Sequence, residues 1–184
     1  MNAGEVVRQA LESLEVPFEE STPGTFVAVL PGDRKLRTTV SLVVGPHSLT
    51  VNAFVVRHPD ENEADVHRWL LQHNAKHPGV AFGIDPFGDV YVVGQLPLPG
   101  VTVDEVDRVL GRVLDVADSS FNTLLELGFA TSIRREWAWR VSRGESLANL
   151  QAFTNLVETP ASEASDPGSA AAAASDAASG DSSV

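Results

Sequence analysis

The chain has 184 residues, 43% of them hydrophobic and 21% charged, with no cysteine and a formal net charge of -12. That length suits one domain with an appendage, and the missing thiols exclude disulfide scaffolds, cysteine nucleophiles and thiolate metal sites. The acidity argues against sequence-independent binding to nucleic acid or to anionic membranes, since both need clustered positive charge.

The elements follow in chain order. Asn2 three residues before Glu5 is a helix-start pair able to satisfy two orphan amides reciprocally, and Val6, Val7, Ala10, Leu11 and Leu14 then form one helical stripe that ends before Pro17. This N-terminus has neither a basic leader nor a continuous apolar run, and no run anywhere approaches the roughly 20 residues that cross a bilayer. A soluble, cytoplasmic protein without a membrane partner is expected. Residues 25–30, 38–44 and 49–56 are rich in Val, Thr and Phe and are separated by PGDRK and GPHS, so they read as a three-stranded meander. Asp60 with Glu63 opens a second helix, carrying Val66, Trp69, Leu70 and His73 on one side and ending before Pro78. Strands over 80–84 and 90–96 are joined by Asp85-Pro86-Phe87-Gly88, a type I turn composition. Thr102 with Glu105 opens a third helix, whose apolar positions keep a 3.6-residue period to Gly128, about 39 Å of helix. TSIRREWAWRVSRG (131–144) and an amphipathic segment over 149–157 follow. From residue 159 on, nine Ala, seven Ser, four acids and no base make a tail too poor in apolar surface to offset chain entropy, expected to be disordered. The division is thus a domain over 1–158 and a tail over 159–184.

Alternation separates the two faces of the sheet. Phe26, Ala28, Leu30, Val40, Leu42, Val44, Leu49, Val51, Ala53, Val55, Val80, Phe82, Ile84, Val90, Val92 and Leu96 gather on a core face. Burying each large side chain gains about 1.5–3 kcal/mol, which fixes the register. The opposite face mixes Thr, Ser and Asn with Val27, Val29, Val43, Phe54, Val56, Tyr91 and Val93, too apolar for a simply solvated surface.

The resulting fold class is α+β: helix, three strands, helix, two strands, long helix, with one largely antiparallel five-stranded sheet. With stretches such as SLTVNAFVV and GVAFGIDPFGDVYVVGQLPL, this order resembles the YbjN family of small bacterial proteins and its type III secretion chaperone-like fold. The Ala and Arg usage is of an actinobacterial type. The resemblance implies a non-enzymatic, dimeric scaffold that binds partners or regulates, and it transfers no catalytic residue.

Candidate chemistry is sparse. His73 and His77 stand four apart, but no third ligand is near in sequence and no HExxH is present, so a dipole interaction at the helix end outweighs a metal role. His47, His58 and His67 have no evident carboxylate partner in sequence. The acids at 60–65 and 104–107 fit helix N-termini better than acid-base catalysis. Asp104 with Arg108, and Arg112 with Asp115, read as solvated ion pairs. No GxGxxG, GxxxxGK[ST] or GxSxG occurs, and no cofactor, metal or catalytic residue is assigned. Gly111 inside the long helix costs about 1 kcal/mol relative to Ala, a cost that close approach of another helix or a second subunit would explain. In 131–144 one helical side carries Ile133, Trp137, Ala138 and Val141, and another carries Arg135, Trp139, Ser142 and Arg143. Either Trp137 docks on the body with Trp139 shielded by arginine stems, or the segment is a binding surface, since Trp and Arg dominate interface hot spots. Four arginines on so acidic a chain make a weak nucleic-acid footprint.

The reading is a non-enzymatic adaptor, chaperone-like or regulatory, that binds an unidentified protein and itself as a homodimer. Its surface combines Val27, Val29, Phe54, Val56, Tyr91 and Val93 with Arg135, Trp137, Trp139 and Arg143, unless residues 131–157 fold over that sheet face and close it. The competing reading is a small-molecule or catalytic pocket between sheet and helices, using His47, His58 and Asp85.

Overall fold

The computed structural model describes residues 2–158; the tail read as disordered lies outside them. Helix α1 (Ala3–Ser13) opens with the reciprocal cap expected of its sequence. The Asn2 side chain accepts the Glu5 N–H at 2.9 Å, and the Glu5 carboxylate accepts the Asn2 N–H at 2.7 Å. The helix buries Val7, Ala10 and Leu11.

The sheet has six strands rather than five: β1 (Phe18–Thr22), β2 (Thr25–Pro31), β3 (Arg37–Val44), β4 (Ser48–Val56), β5 (Val80–Ile84) and β6 (Val90–Pro97). Their order is β1-β2-β3-β4-β6-β5, and every neighbouring pair is antiparallel. The added strand, FEEST, has one large apolar residue, Phe18, whose ring lies 6.1 Å from that of Phe26. Its charges suit an edge, where they discourage pairing with another chain. Glu20 pairs with Arg8 of α1 and accepts the Gly24 N–H at 3.0 Å, which ties the edge to the helix layer.

The core face follows the alternation with three departures. Ile84 ends β5 and is 44% exposed. Val44 and Leu96, at strand ends, are half-buried. Val56 joins the core at 4% exposure, because the pairing of β4 with β6 shifts between Phe54 and Val56. Val55 is the extra residue of a bulge, which turns both valines inward.

Helix α2 (Glu63–Asn74) does not begin at Asp60. Its N-cap is Asn62, in the left-handed region at φ 53° and without a side-chain cap. The Asp60 carboxylate is engaged elsewhere, as described below. Helix α3 (Val103–Arg143) is capped by Thr102, whose Oγ1 accepts the Glu105 N–H at 3.2 Å. Arg108 pairs with Glu105 rather than with Asp104. Gly94 of β6 lets this helix come close: a Cβ there would lie 2.9 Å from Val109 Cγ2. The helix does not stop at Gly128. Phe129 leaves helical geometry (φ -142°, ψ 17°), and the helix then resumes to Arg143, ending at Gly144 in the left-handed region (φ 67°). A 3-10 stretch, Ala148–Phe153, and α4 (Thr154–Glu158) return along it.

Candidate functional site

The outer face of the sheet stays half open. Val29 and Val43 are 37% and 38% exposed, and Val27, Phe54, Tyr91 and Val93 are half-buried beside them. Register sets these contacts: Phe54 and Tyr91 are direct partners across β4 and β6, and their rings meet edge-on at 5.6 Å. Asn52 and Val93 form the next pair on this face. Val56 leaves the expected set, since the bulge buries it. Phe54 is also tied to the helix layer, because the Lys35 ammonium lies 5.1 Å from its ring and 5.0 Å from that of Phe121 in α3. Burial holds the Lys35 pKa below the usual lysine value. The turn carrying Lys35 is fixed by Asp118 of α3, whose carboxylate accepts the Arg34 and Lys35 N–H groups, each at 2.9 Å.

The C-terminal segment folds back along α3 rather than across that face. Arg134 Nε donates to the Leu156 carbonyl at 2.8 Å, Arg140 Nη1 donates to the Ser146 carbonyl at 3.0 Å, and Ile133 and Phe153 are buried. Of the two sides expected in 131–144, the first is only partly inward: Ile133 is buried and Trp137 half-buried, but Val141 is 58% exposed. The second side stays outward. Trp139 is 44% exposed, with the Arg143 guanidinium 5.1 Å from its ring. Ser132, Arg135, Glu136 and Trp139 line an open groove of about 520 Å³.

Between sheet and limb lies a constellation that local pattern does not reveal. The break at Phe129 strands carbonyls at the end of one helical segment and amides at the start of the next, and residues 57–62 satisfy both. The Gly128 carbonyl accepts the Asp60 and Glu61 N–H groups at 2.9 and 3.2 Å, and Asn62 Nδ2 donates to the Leu127 carbonyl at 3.1 Å. On the far side the Glu61 carboxylate accepts the Thr131 N–H at 2.6 Å and the Thr131 hydroxyl at 2.9 Å, acting as an N-cap from another part of the chain. Asp60 accepts the Ser132 hydroxyl at 2.9 Å and two bonds from Arg57 at 2.6 and 2.7 Å. The Arg57 guanidinium also sits 4.6 Å from the Phe129 ring. The bond from Arg57, then that from Ser132, brings the Asp60 pKa down from 3.8 to about 2. Gly128 is needed for the approach, as a Cβ there would lie 3.0 Å from Pro59. Trp139 stands eight helical residues beyond Thr131, about 12 Å along the helix, and Ser132 belongs both to this clamp and to the tryptophan groove.

Two of the histidines read as lacking a carboxylate, His58 and His67, have one within ion-pair distance but beyond hydrogen-bond distance. Glu63 Oε1 lies 3.6 Å from His58 Nε2 and 3.7 Å from His67 Nε2. His73 stacks on Trp69 at 3.6 Å, and its Nδ1 lies 2.9 Å from the Trp69 carbonyl. Among the described residues no group of three or more His, Asp or Glu side chains is arranged to hold a metal. Of the residues of the pocket reading, His58 is brought against the turn that holds Asp85, its N–H donating to the Asp89 carboxylate at 2.8 Å and its ring lying beside Gly88, but His47 is not brought to them. His47 precedes β4 and His58 follows it, so nine strand residues, about 30 Å, lie between them. Asp85 holds its own turn, its carboxylate accepting the Phe87 and Asp89 N–H groups.

The YbjN family model, described as "Putative bacterial sensory transduction regulator", matches residues 3–126. This chain belongs to the YbjN family. It is 53% identical over 159 residues to an uncharacterised protein of Mycobacterium tuberculosis strain H37Rv, a match covering 84% of this chain and 87% of that one. Among solved structures it is similar to YbjN of E. coli (16% identity, 63% of this chain, 89% of that chain, TM-score 0.49). It is also similar to a chain of the heterodimeric ExoU-SpcU complex of the Pseudomonas aeruginosa type III secretion system (17%, 64%, 96%, TM-score 0.49). The YbjN match stops just before Phe129, so the distal limb of α3 lies beyond it. A match over 84% of the chain includes that limb wherever it begins. No helix among the described residues is long and apolar enough to cross a membrane.

Proposed function

We propose that this YbjN protein is a protein-binding adaptor, chaperone-like or regulatory, that works in the cytoplasm as a homodimer and carries no chemistry of its own. The observation behind this reading is the half-open sheet face. The apolar residues of α1 and α3 join the core on one side of six strands, while Val29 and Val43 remain more than one third exposed on the other, beside Val27, Phe54, Tyr91 and Val93. Thr39, Ser41 and Asn52 interrupt these residues across the strands, but the apolar share of this outward face supports an interaction site. The outward Trp139 with Arg135 and Arg143 adds a second patch of the residue types that anchor interfaces, and the half-buried Trp137 supports it from behind. Gly111 favours self-association. It is exposed in mid-helix, and a Cβ there would meet nothing within 4 Å, so packing within the chain gives no reason for a residue that costs about 1 kcal/mol. A helix of a second copy crossing there would supply one.

The test uses the tagged full chain, its Val29→Glu/Val43→Glu variant and Trp139→Ala as baits in extract of the native organism, with thermal unfolding as a check on folding. A defined protein retained by the unaltered chain and lost from the sheet variant supports the adaptor. Retention of the same proteins by all three baits removes the proposed surface. Sedimentation of a monomer at high micromolar concentration removes the homodimer.

A further inference from the structure

The four arginines of residues 131–143 divide into two kinds. Arg134 and Arg140 hold the returning segment through the Leu156 and Ser146 carbonyls, and Arg140 also neutralises Glu136, Nε to Oε1 at 2.7 Å. Arg135 and Arg143 do neither. Among the described residues no carboxylate lies within ion-pair distance of either. Both are exposed, and they stand four residues to either side of Trp139 on one helical stripe. Two neighbouring acids are already committed, Glu136 to Arg140 and Asp60 to Arg57 and Ser132, although the Asp60 carboxylate also feels the Arg135 charge. A chain of net charge -12 therefore displays one stripe that is locally cationic, with an exposed indole at its centre.

Spacing narrows the ligand. Arg135 and Arg143 are eight helical residues apart, about 12 Å. An extended chain advances about 3.3 Å per residue and puts residues i, i+2 and i+4 on one face. Two carboxylates four residues apart match the backbone spacing of the two arginines, and the residue midway between them reaches the part of the Trp139 ring that the Arg143 guanidinium leaves open. The geometry points to the Arg135, Trp139 and Arg143 stripe as the docking site for an extended acidic segment of a partner protein, of the form acid-x-apolar-x-acid. This rests on the adaptor reading and adds the chemistry of the partner. The chain's own tail does not fit the spacing. Glu163 and Asp166 are three residues apart and Asp176 and Asp181 five, odd separations that put each pair on opposite faces of an extended strand. A nucleic acid fits the charge less well, because its further phosphates would fall on an acidic surface.

The probe is a capped, fluorescein-labelled peptide, Gly-Ser-Glu-Ala-Leu-Ala-Glu-Ser-Gly, titrated with the full chain by anisotropy. Bidentate guanidinium-carboxylate pairs at an exposed site set the expected scale. Arg135→Gln and Arg143→Gln should each weaken binding five- to tenfold, Trp139→Ala at least tenfold, and replacement of both peptide glutamates by glutamine at least tenfold. Moving the glutamates to three residues apart should cost at least fivefold. All three protein variants change exposed side chains, and unchanged thermal unfolding verifies the fold. Equal binding of the glutamine peptide, indifference to Arg135→Gln and Arg143→Gln, or tighter binding of a twelve-residue oligothymidine overturns the proposal. So does a tenfold gain in peptide affinity on neutralising Glu163 and Asp166, which would give the stripe to the tail. If the sheet variant loses its partner while the stripe variants bind peptide like the unaltered chain, the adaptor stands and this site falls. If the peptide binds as described but no bait retains a protein, the reverse holds.

Discussion

Residues 3–128 bury a continuous layer of side chains from Val7 to Leu124, whereas residues 130–158 bury two apolar side chains, Ile133 and Phe153, with Leu150 and Leu156 half-buried against them, and add hydrogen bonds and ion pairs. The contrast decides how each part responds to conditions. Apolar burial scales with area and is nearly indifferent to pH. The clamp at Phe129 depends on two carboxylates, Asp60 exposed and Glu61 half-buried, and pairs near the surface are weak, screened by salt and sensitive to acid. The same difference separates the two candidate surfaces. The sheet face is presented by a rigid layer, while the orientation of the Trp139 stripe is set by residues 57–62.

The largest effect is expected in the body. Phe26 is fully buried in β2, where it meets the Phe18 ring on one side and the Arg8 guanidinium on the other. Phe26→Ala should lower unfolding free energy by about 3–5 kcal/mol, read from equilibrium urea unfolding. Phe153→Ala should instead speed proteolysis within residues 145–158 and leave the urea midpoint of the body in place. Equal losses in the two variants would make body and limb one cooperative unit and erase the contrast.

Next in size is the clamp. Glu61→Gln weakens both bonds to Thr131, and Asp60→Asn disturbs those to Arg57 and Ser132. Each should speed hydrogen exchange of the amides at 130–133 at least tenfold while exchange in β3 and β4 stays unchanged. Acid should mimic the variants. The Asp60 pKa is lowered in the folded protein, chiefly by Arg57 and then by Ser132. Its contribution is therefore complete above the ordinary value of 3.8 and is lost as pH falls toward about 2. Exchange at 130–133 should accelerate beyond its intrinsic pH dependence across that window in the unaltered chain, but not in Asp60→Asn.

The same division marks what the sequence discloses. Five strands and the core face are readable because burial imposes a period of two on residues that are neighbours in the chain. β1 escapes that rule: as an edge strand it buries little, and FEEST carries one large apolar residue. Val56 escapes because the bulge at Val55 reverses the phase of the last turnward residues of β4. The helix break after Gly128 is visible in the sequence, but its repair is not. Asp60 and Glu61 read as the start of a helix, while their partners Thr131 and Ser132 lie about seventy residues on. The contact of Glu63 with His58 is hidden similarly, since only the turn from β4 into α2 makes it, whereas Glu63 and His67 stand four apart on α2 and their pairing is legible at helical spacing. In the candidate surface, the Arg135, Trp139 and Arg143 stripe was readable at helical spacing. Which arginines remain uncommitted depends on the returning chain.

The smallest effect tests whether the body is complete alone. Gly111 lies on the exposed side of α3, where an added Cβ meets nothing within 4 Å and the backbone is helical. In an isolated chain, Gly111→Ala removes a flexible residue from the unfolded state and should raise stability by about 1 kcal/mol, observed as a higher urea midpoint at every protein concentration. If a second copy packs its helix there, the methyl group intrudes on a close crossing. Sedimentation then shows weaker self-association, and the gain in stability shrinks as concentration rises, because the dimer's share of the stabilisation is concentration-dependent. A uniform gain with unchanged sedimentation would exclude Gly111 from any interface and leave its presence without a packing reason.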